Sequence, residues 1–213
     1  MKTFSQLLYR TVSCRTSRFA ASASPQRLLM SVLLAGVAAG AVLCAEIPAA
    51  LRPLMMQGMA VSDGLRTLWD VCRDAVCPVL VMLWLMLLSG TSALGHPVPL
   101  MLLLLRGFGL GLAAAECFLT LPLQTAFCAC AGMILPFGFL SALILTRGAA
   151  AALSLSQCTA RYLLRGKPDP EIAAKLLRVL KILLILLPLT LLAGMLHTAL
   201  VWLLNDRLLL ASV

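Results

Sequence analysis

Acidic side chains are scarce in this chain: eight Asp and Glu stand among 213 residues, and only 12% of all residues carry a charge. Grouped polar residues are scarcer still. His96 and His197 stand apart from one another and from any second catalytic group. Hydrolysis and group transfer need a nucleophile, a base and an orienting partner close together, so the inventory argues against an enzyme. There is no Walker loop. Gly107, Gly109 and Gly111 are spaced by twos inside an apolar run, with no preceding strand, and make no dinucleotide fingerprint. The eight cysteines do not compensate. Most lie in or beside apolar runs, where Cys behaves as a small hydrophobe. Cys72 and Cys77 point about 140° apart on a helix, so a disulfide between them needs a break that only Pro78 could provide. Cys128 and Cys130 lie on different helical faces, and no histidine completes a metal set. No catalytic residue, metal site or cofactor is therefore expected. The net charge of +9 comes without aromatic-interleaved basic patches, which argues against nucleic acid as a partner.

What the chain has in abundance is apolar surface. At 62% hydrophobic it cannot be buried in one water-soluble core, and the lipid bilayer is the partner that the composition demands. About 20 apolar residues cross the hydrocarbon as a helix. Five stretches approach that length, at about 28–45, 75–94, 97–115, 126–145 and 182–204. The fold class is thus all-α, a polytopic helical membrane protein. A basic tail, 1–27, precedes a single membrane domain, 28–213.

Basic residues fix the orientation better than net charge does. Lys2, Arg10, Arg15, Arg18 and Arg27 precede the first span, and Arg147, Arg161, Arg165, Lys167, Lys175, Arg178 and Lys181 lie between the fourth and fifth. Arg52, Arg66, Arg73 and Arg207 lie on the other side. The amino end is expected inside and the carboxyl end outside, which five spans also require. The Ser- and Arg-rich tail also fits an organellar transit peptide, as a second reading. The residue before Cys44 is Leu, unsuited to lipoprotein processing, so the first span reads as an uncleaved anchor.

The connections differ in kind. Gly95, His96 and Pro97 make a turn so tight that spans two and three should form an antiparallel hairpin. Glu116 to Thr125 is too apolar for a solvent loop and should lie at the interface or partly re-enter. An outer amphipathic helix is expected at about 62–74. It sets Val61, Leu65, Leu68, Trp69 and Cys72 against Asp63, Arg66, Asp70 and Arg73. Ser62 suits its N-cap. Asp63, Arg66, Trp69, Asp70 and Arg73 are the candidate partner or lipid surface, either a lid on the headgroups or a docking face. Inside, a basic loop is expected over 146–181, with a turn at Arg165 to Pro170 and a new helix opening at Pro170 and Glu171.

One charge breaks the pattern. Arg106 lies within an apolar run, where a central arginine costs about 2.5–3.5 kcal/mol and must face protein, a wet cleft or a counter-ion. Gly107 and Gly111 beside it have the small-x-x-x-small spacing that lets helix backbones approach. Glu116 is about 15 Å further along a straight helix, too far to pair with Arg106. Other candidate partners are a carbonyl freed near Pro136, or Gln124 if the preceding connection folds inward. Arg106, Gly107, Gly111, Glu116, Pro122 and Gln124 form the candidate packing or polar-cleft element.

The run from Leu83 through Ser89, Gly90, Thr91, Ser92, Ala93, Leu94, Gly95, His96, Pro97, Val98 and Pro99, followed by Leu104, Leu105, Arg106, Gly107, Phe108, Gly109, Leu110 and Gly111, resembles the stage II sporulation protein M family. That family shows a span ending in a small-residue, Gly and Pro turn, then a basic residue and spaced glycines. Its Leu-Pro element before the fourth span is answered by Leu121 and Pro122, with Gln124 nearby. The similarity covers roughly 75–146. The residues after the Leu-Pro element, Leu123 and Thr125, do not reproduce the polar or acidic residue often found there. The resemblance implies a non-catalytic membrane scaffold of the sporulation engulfment machinery. It would sit in the bacterial cell membrane, on the mother-cell side of the asymmetric septum, with the peptidoglycan-degrading stage II sporulation proteins D and P as partners. The alternative is a small permease subunit. Five spans would then require a homo-oligomer or an ATPase partner.

Overall fold

The computed structural model describes residues 25–48, 51–52, 68–92, 95–165 and 171–211. Every regular element among them is helical: α1 (Pro25–Leu43), α2 (Leu68–Thr91), α3 (Pro97–Thr120), α4 (Leu123–Ala129), a π-helical turn (Cys130–Ile134), α5 (Leu135–Arg165) and α6 (Glu171–Ala211). Leu and Ala dominate them, residues that lose little side-chain freedom in a helix. In hydrocarbon a helix also satisfies its own backbone. Five helical runs are long and apolar enough to cross a bilayer: Gln26–Leu43, Leu68–Thr91, Pro97–Thr120, Leu123–Arg161 and Ala173–Leu203. The chain is an all-α polytopic membrane protein.

Each span shows the bilayer one face and its neighbours another. On α2, Ala75, Val76, Val79, Met82, Leu83 and Met86 are buried at spacings of three and four, while Val81, Trp84, Leu85 and Leu88 are exposed toward the space that acyl chains fill. The shared core holds Leu29 and Leu33 of α1, Leu103 and Leu112 of α3, and Phe137, Ile144 and Leu145 of α5.

Packing does not follow chain order. α3 packs most extensively on α1, and α2 packs on α5 and α6; α2 and α3, although joined by a short turn, share a much smaller face. The turn itself is tight. The Ser92 N–H bonds the Ser89 carbonyl at 3.1 Å and the Gly95 N–H bonds the Ser92 carbonyl at 3.2 Å. A Cβ at Gly95 would overlap the Ser89 carbonyl oxygen. Ser156 of α5 clamps this turn: its hydroxyl donates to the Ser92 carbonyl at 2.9 Å and lies 3.0 Å from His96 Nδ1. One hydroxyl has one proton, so Nδ1 is the donor in the second contact.

Expectation and structure agree unevenly at three connections: the helix running into α2 and the helix opening at Glu171 are present, while 116–125 and 146–165 are more helical than expected. Glu116 to Thr125 is helical except at Leu121 and Pro122, because α3 continues to Thr120 and α4 opens at Leu123. The Leu121 N–H bonds the Cys117 carbonyl at 3.0 Å and the Ala126 N–H bonds the Pro122 carbonyl at 2.8 Å, so the backbone is satisfied without a re-entrant loop. The stretch 146–181 is helical over 146–165 and again from Glu171. In the region 62–74, helix is present from Leu68 and runs straight into α2; 61–67 lies outside the described residues.

The fourth span changes register in mid-course. Between α4 and α5 the Leu135 N–H bonds the Cys130 carbonyl, the longer step of a π turn. Pro136 follows at once and has no N–H for the Gly132 carbonyl, a deficit that the wider turn accommodates.

Candidate functional site

Arg106 heads the fully buried side chains, with no exposed surface. It lies near the middle of α3, and a long helical side chain leans toward the start of its own helix. That lean brings the guanidinium to Ser141 on α5. Nη2–H donates to Ser141 Oγ at 2.9 Å and Nε–H to the same oxygen at 3.3 Å. Ser141 Oγ in turn donates to the Gly138 carbonyl at 3.0 Å, so its lone pairs face the cation. The guanidinium carbon also stands 5.3 Å from the centre of the Phe137 ring, within cation–π range.

The ring carries the cluster on to α6. Phe137 stacks on His197 with centroids 4.7 Å apart and planes inclined by 30°. His197 is 4% exposed and its Nδ1 has no hydrogen-bond partner. One arginine, one hydroxyl, one ring face and one imidazole thus join α3, α5 and α6.

The candidate element divides into three places. Arg106 points to α5, while Gly107 and Gly111 face α1. A Cβ at Gly107 would overlap the Leu33 carbonyl oxygen, and one at Gly111 the Val37 carbonyl oxygen. The reciprocal contacts come from Gly36 and Gly40, whose added Cβ atoms would overlap the carbonyl oxygens of Leu104 and Phe108. Sequence reasoning does not pair these two glycines with α3, although their spacing repeats that of Gly107 and Gly111. Glu116, Pro122 and Gln124 lie at the far end of α3. Glu116 Oε2 is buried without a hydrogen-bond partner, Pro122 turns the chain with φ −56° and ψ 146°, and Gln124 is exposed. Gln124 stands roughly 25 Å from Ser141 along the helical run, so it is no partner for Arg106. Two of its donors go to a serine side chain, to which the sequence did not point.

Of the candidate surface, Asp63 and Arg66 lie outside the described residues. Trp69 is exposed, and Arg73 stands 3.9 Å from Asp70 and 3.6 Å from Asp74. Exposed pairs of this kind contribute about 0–1 kcal/mol. Trp69 also borders an apolar groove of about 550 Å³, with Leu68, Cys72, Leu191, Met195 and Trp202. The groove lies away from Arg106. Its one hydroxyl, on Thr198, is bonded to the Gly194 carbonyl at 2.9 Å.

At Ser141 the hydroxyl proton is directed at a carbonyl, so that oxygen is not activated as a nucleophile. Among the described residues no group of three His, Cys, Asp or Glu side chains could hold a metal ion. What the arrangement does is hold helices in register around a charge. No known protein family, curated protein or solved structure matches this chain.

Proposed function

We propose that this protein is a non-catalytic membrane scaffold of the sporulation engulfment machinery. It sits in the mother-cell membrane at the asymmetric septum, with its amino end inside and its carboxyl end outside. There it localises the peptidoglycan-degrading stage II sporulation proteins D and P. The observation that carries the reading is the enclosure of Arg106. A charge that guides a transported ion needs water on at least one side, whereas this guanidinium has no exposed surface and directs two donors into Ser141. The resemblance to the stage II sporulation protein M family supports the same choice. Its Gly and Pro turn is the segment clamped by Ser156, and its Arg-Gly element lies where α1 and α5 meet α3.

The test is a pull-down of the tagged full-length chain from membranes during septation. Recovery of the wall hydrolases D and P supports the scaffold. Recovery of an ATPase in their place assigns the chain to the small permease class. Arg106→Leu sharpens the test, because a stable variant with unaltered partner recovery would remove Arg106 from the working part of the assembly.

A further inference from the structure

Cys117 and Cys130 belong to different helices, and the fold brings Cys130 to the turn of α3 that precedes Cys117. Cys117 is 4% exposed in the last turns of α3, and Cys130, partly exposed, opens the π turn. Cys130 Sγ donates to the Ala114 carbonyl at 3.8 Å. Ala114 lies one turn before Cys117, and a helical side chain leans over the turn before its own Cα. Cys117 therefore covers the turn that Cys130 touches, which sets the two side chains against the same turn of α3. Small buried residues on both helices, Ala113, Ala126 and Ala129, allow the approach. Both thiols are free in this structure.

We propose that Cys117 and Cys130 form a disulfide that staples α3 to the fourth span. The inference rests on the orientation given under Proposed function, which puts this end of the bundle on the extracytoplasmic side, where disulfides persist. The oxidant is a protein disulfide of an extracytoplasmic thiol oxidase. Cys130, the more accessible sulfur, gives up its proton and attacks that disulfide, releasing one oxidant thiolate and leaving a mixed disulfide. Cys117, deprotonated in turn, attacks Cys130 Sγ and expels the second oxidant thiolate. Two thiols are oxidised, one disulfide is reduced, and the two protons end on the oxidant's sulfurs. Cys158 serves as an internal reference, since it lies at the opposite end of the bundle beside Lys175 Nζ at 3.7 Å.

The experiment uses the full-length protein in its native membrane, quenched in acid, denatured and alkylated with a light maleimide, then reduced and alkylated with a heavy one. Cys117 and Cys130 should carry the heavy label and Cys158 the light label. A carboxyl-terminal reporter fusion reads the orientation in parallel. Light label on both Cys117 and Cys130 with the reporter outside overturns the disulfide. The same labels with the reporter inside overturn the orientation, and the cellular disulfide with it. Purified protein treated with diamide isolates the geometry. A cross-linked peptide pair that disappears in Cys117→Ser and in Cys130→Ser supports the juxtaposition; no cross-link in the unsubstituted protein overturns it.

Discussion

A guanidinium that has left water needs its donors aimed at oxygen or at a ring face, and at Arg106 the chain supplies both from α5. Ser141→Ala withdraws the oxygen that receives Nε–H and Nη2–H. Leaving a buried donor without its acceptor costs about 1–3 kcal/mol. Replacing both partners by apolar groups removes most of that penalty. We therefore expect Ser141→Ala to destabilise the purified protein by about 1–3 kcal/mol. In an Arg106→Leu background the same change should cost well under about 1 kcal/mol, as a double-mutant cycle of unfolding in mild detergent would read. Equal costs in the two backgrounds would show that the hydroxyl contributes nothing to holding the charge. Phe137→Leu should weaken the same site by up to about 2 kcal/mol through loss of the ring face. The sequence makes Arg106 conspicuous because a charge interrupts leucines. It does not make Ser141 conspicuous, since a serine in a membrane helix commonly bonds its own backbone and carries no mark of a distant partner. Nor does it show that Cys130 reaches the turn before Cys117, which depends on how two helices rotate about their axes.

Among the helices, closeness of backbones decides the pairing more than closeness in the chain. The turn at Gly95 to Pro97 led to the expectation of a paired hairpin, yet α3 gives its broad face to α1. The physical reason is that Gly36 and Gly40 oppose Gly107 and Gly111, so that each glycine lies against a carbonyl of the other helix. The buried face of α2 carries Val79, Met82, Leu83 and Met86, whose bulk does not allow such an approach. Spacing of small residues on α3 was legible; its complement on α1 needed both helices in view. Gly111→Ala should destabilise the protein by about 2 kcal/mol or more, because the new methyl group meets backbone. Gly148→Ala places a methyl group 2.8 Å from Leu83 Cδ2, the tip of a side chain that can move, and should cost under about 1 kcal/mol. Thermal unfolding of the two variants in the same detergent ranks them. A Gly111→Ala protein as stable as Gly148→Ala would mean that α1 and α3 separate without loss.

For the molecule as a whole, the number of crossings was legible in hydropathy, but the length of the last two was not. The run from Leu123 to Arg165 extends for roughly 64 Å at the rise of an α-helix, about twice the hydrocarbon thickness. Hydropathy falls once Arg147, Ser154 and Arg161 enter, yet the helix persists because it has something to pack on. Ala151 and Leu155 of α5 meet Val179 and Leu183 of α6 in a second small core, joined by Leu87. This helical pair carries Arg147, Arg161, Arg178 and Lys181 on exposed positions and Lys175 half-buried. Each basic residue near an anionic inner surface contributes about 1 kcal/mol, so no single one decides orientation. We expect the group to do so, together with the basic tail. A reporter at the carboxyl end should therefore read outside, and one inserted at 166–170 inside. Changing any one of the five to Gln should leave both readings unchanged. Changing all five should move a measurable share of molecules to the inverted arrangement, with both reporters switching sides together. Reporters that switch independently would mean that the bundle does not insert as one unit. Identical readings from the two reporters in the unsubstituted protein would remove the fifth crossing.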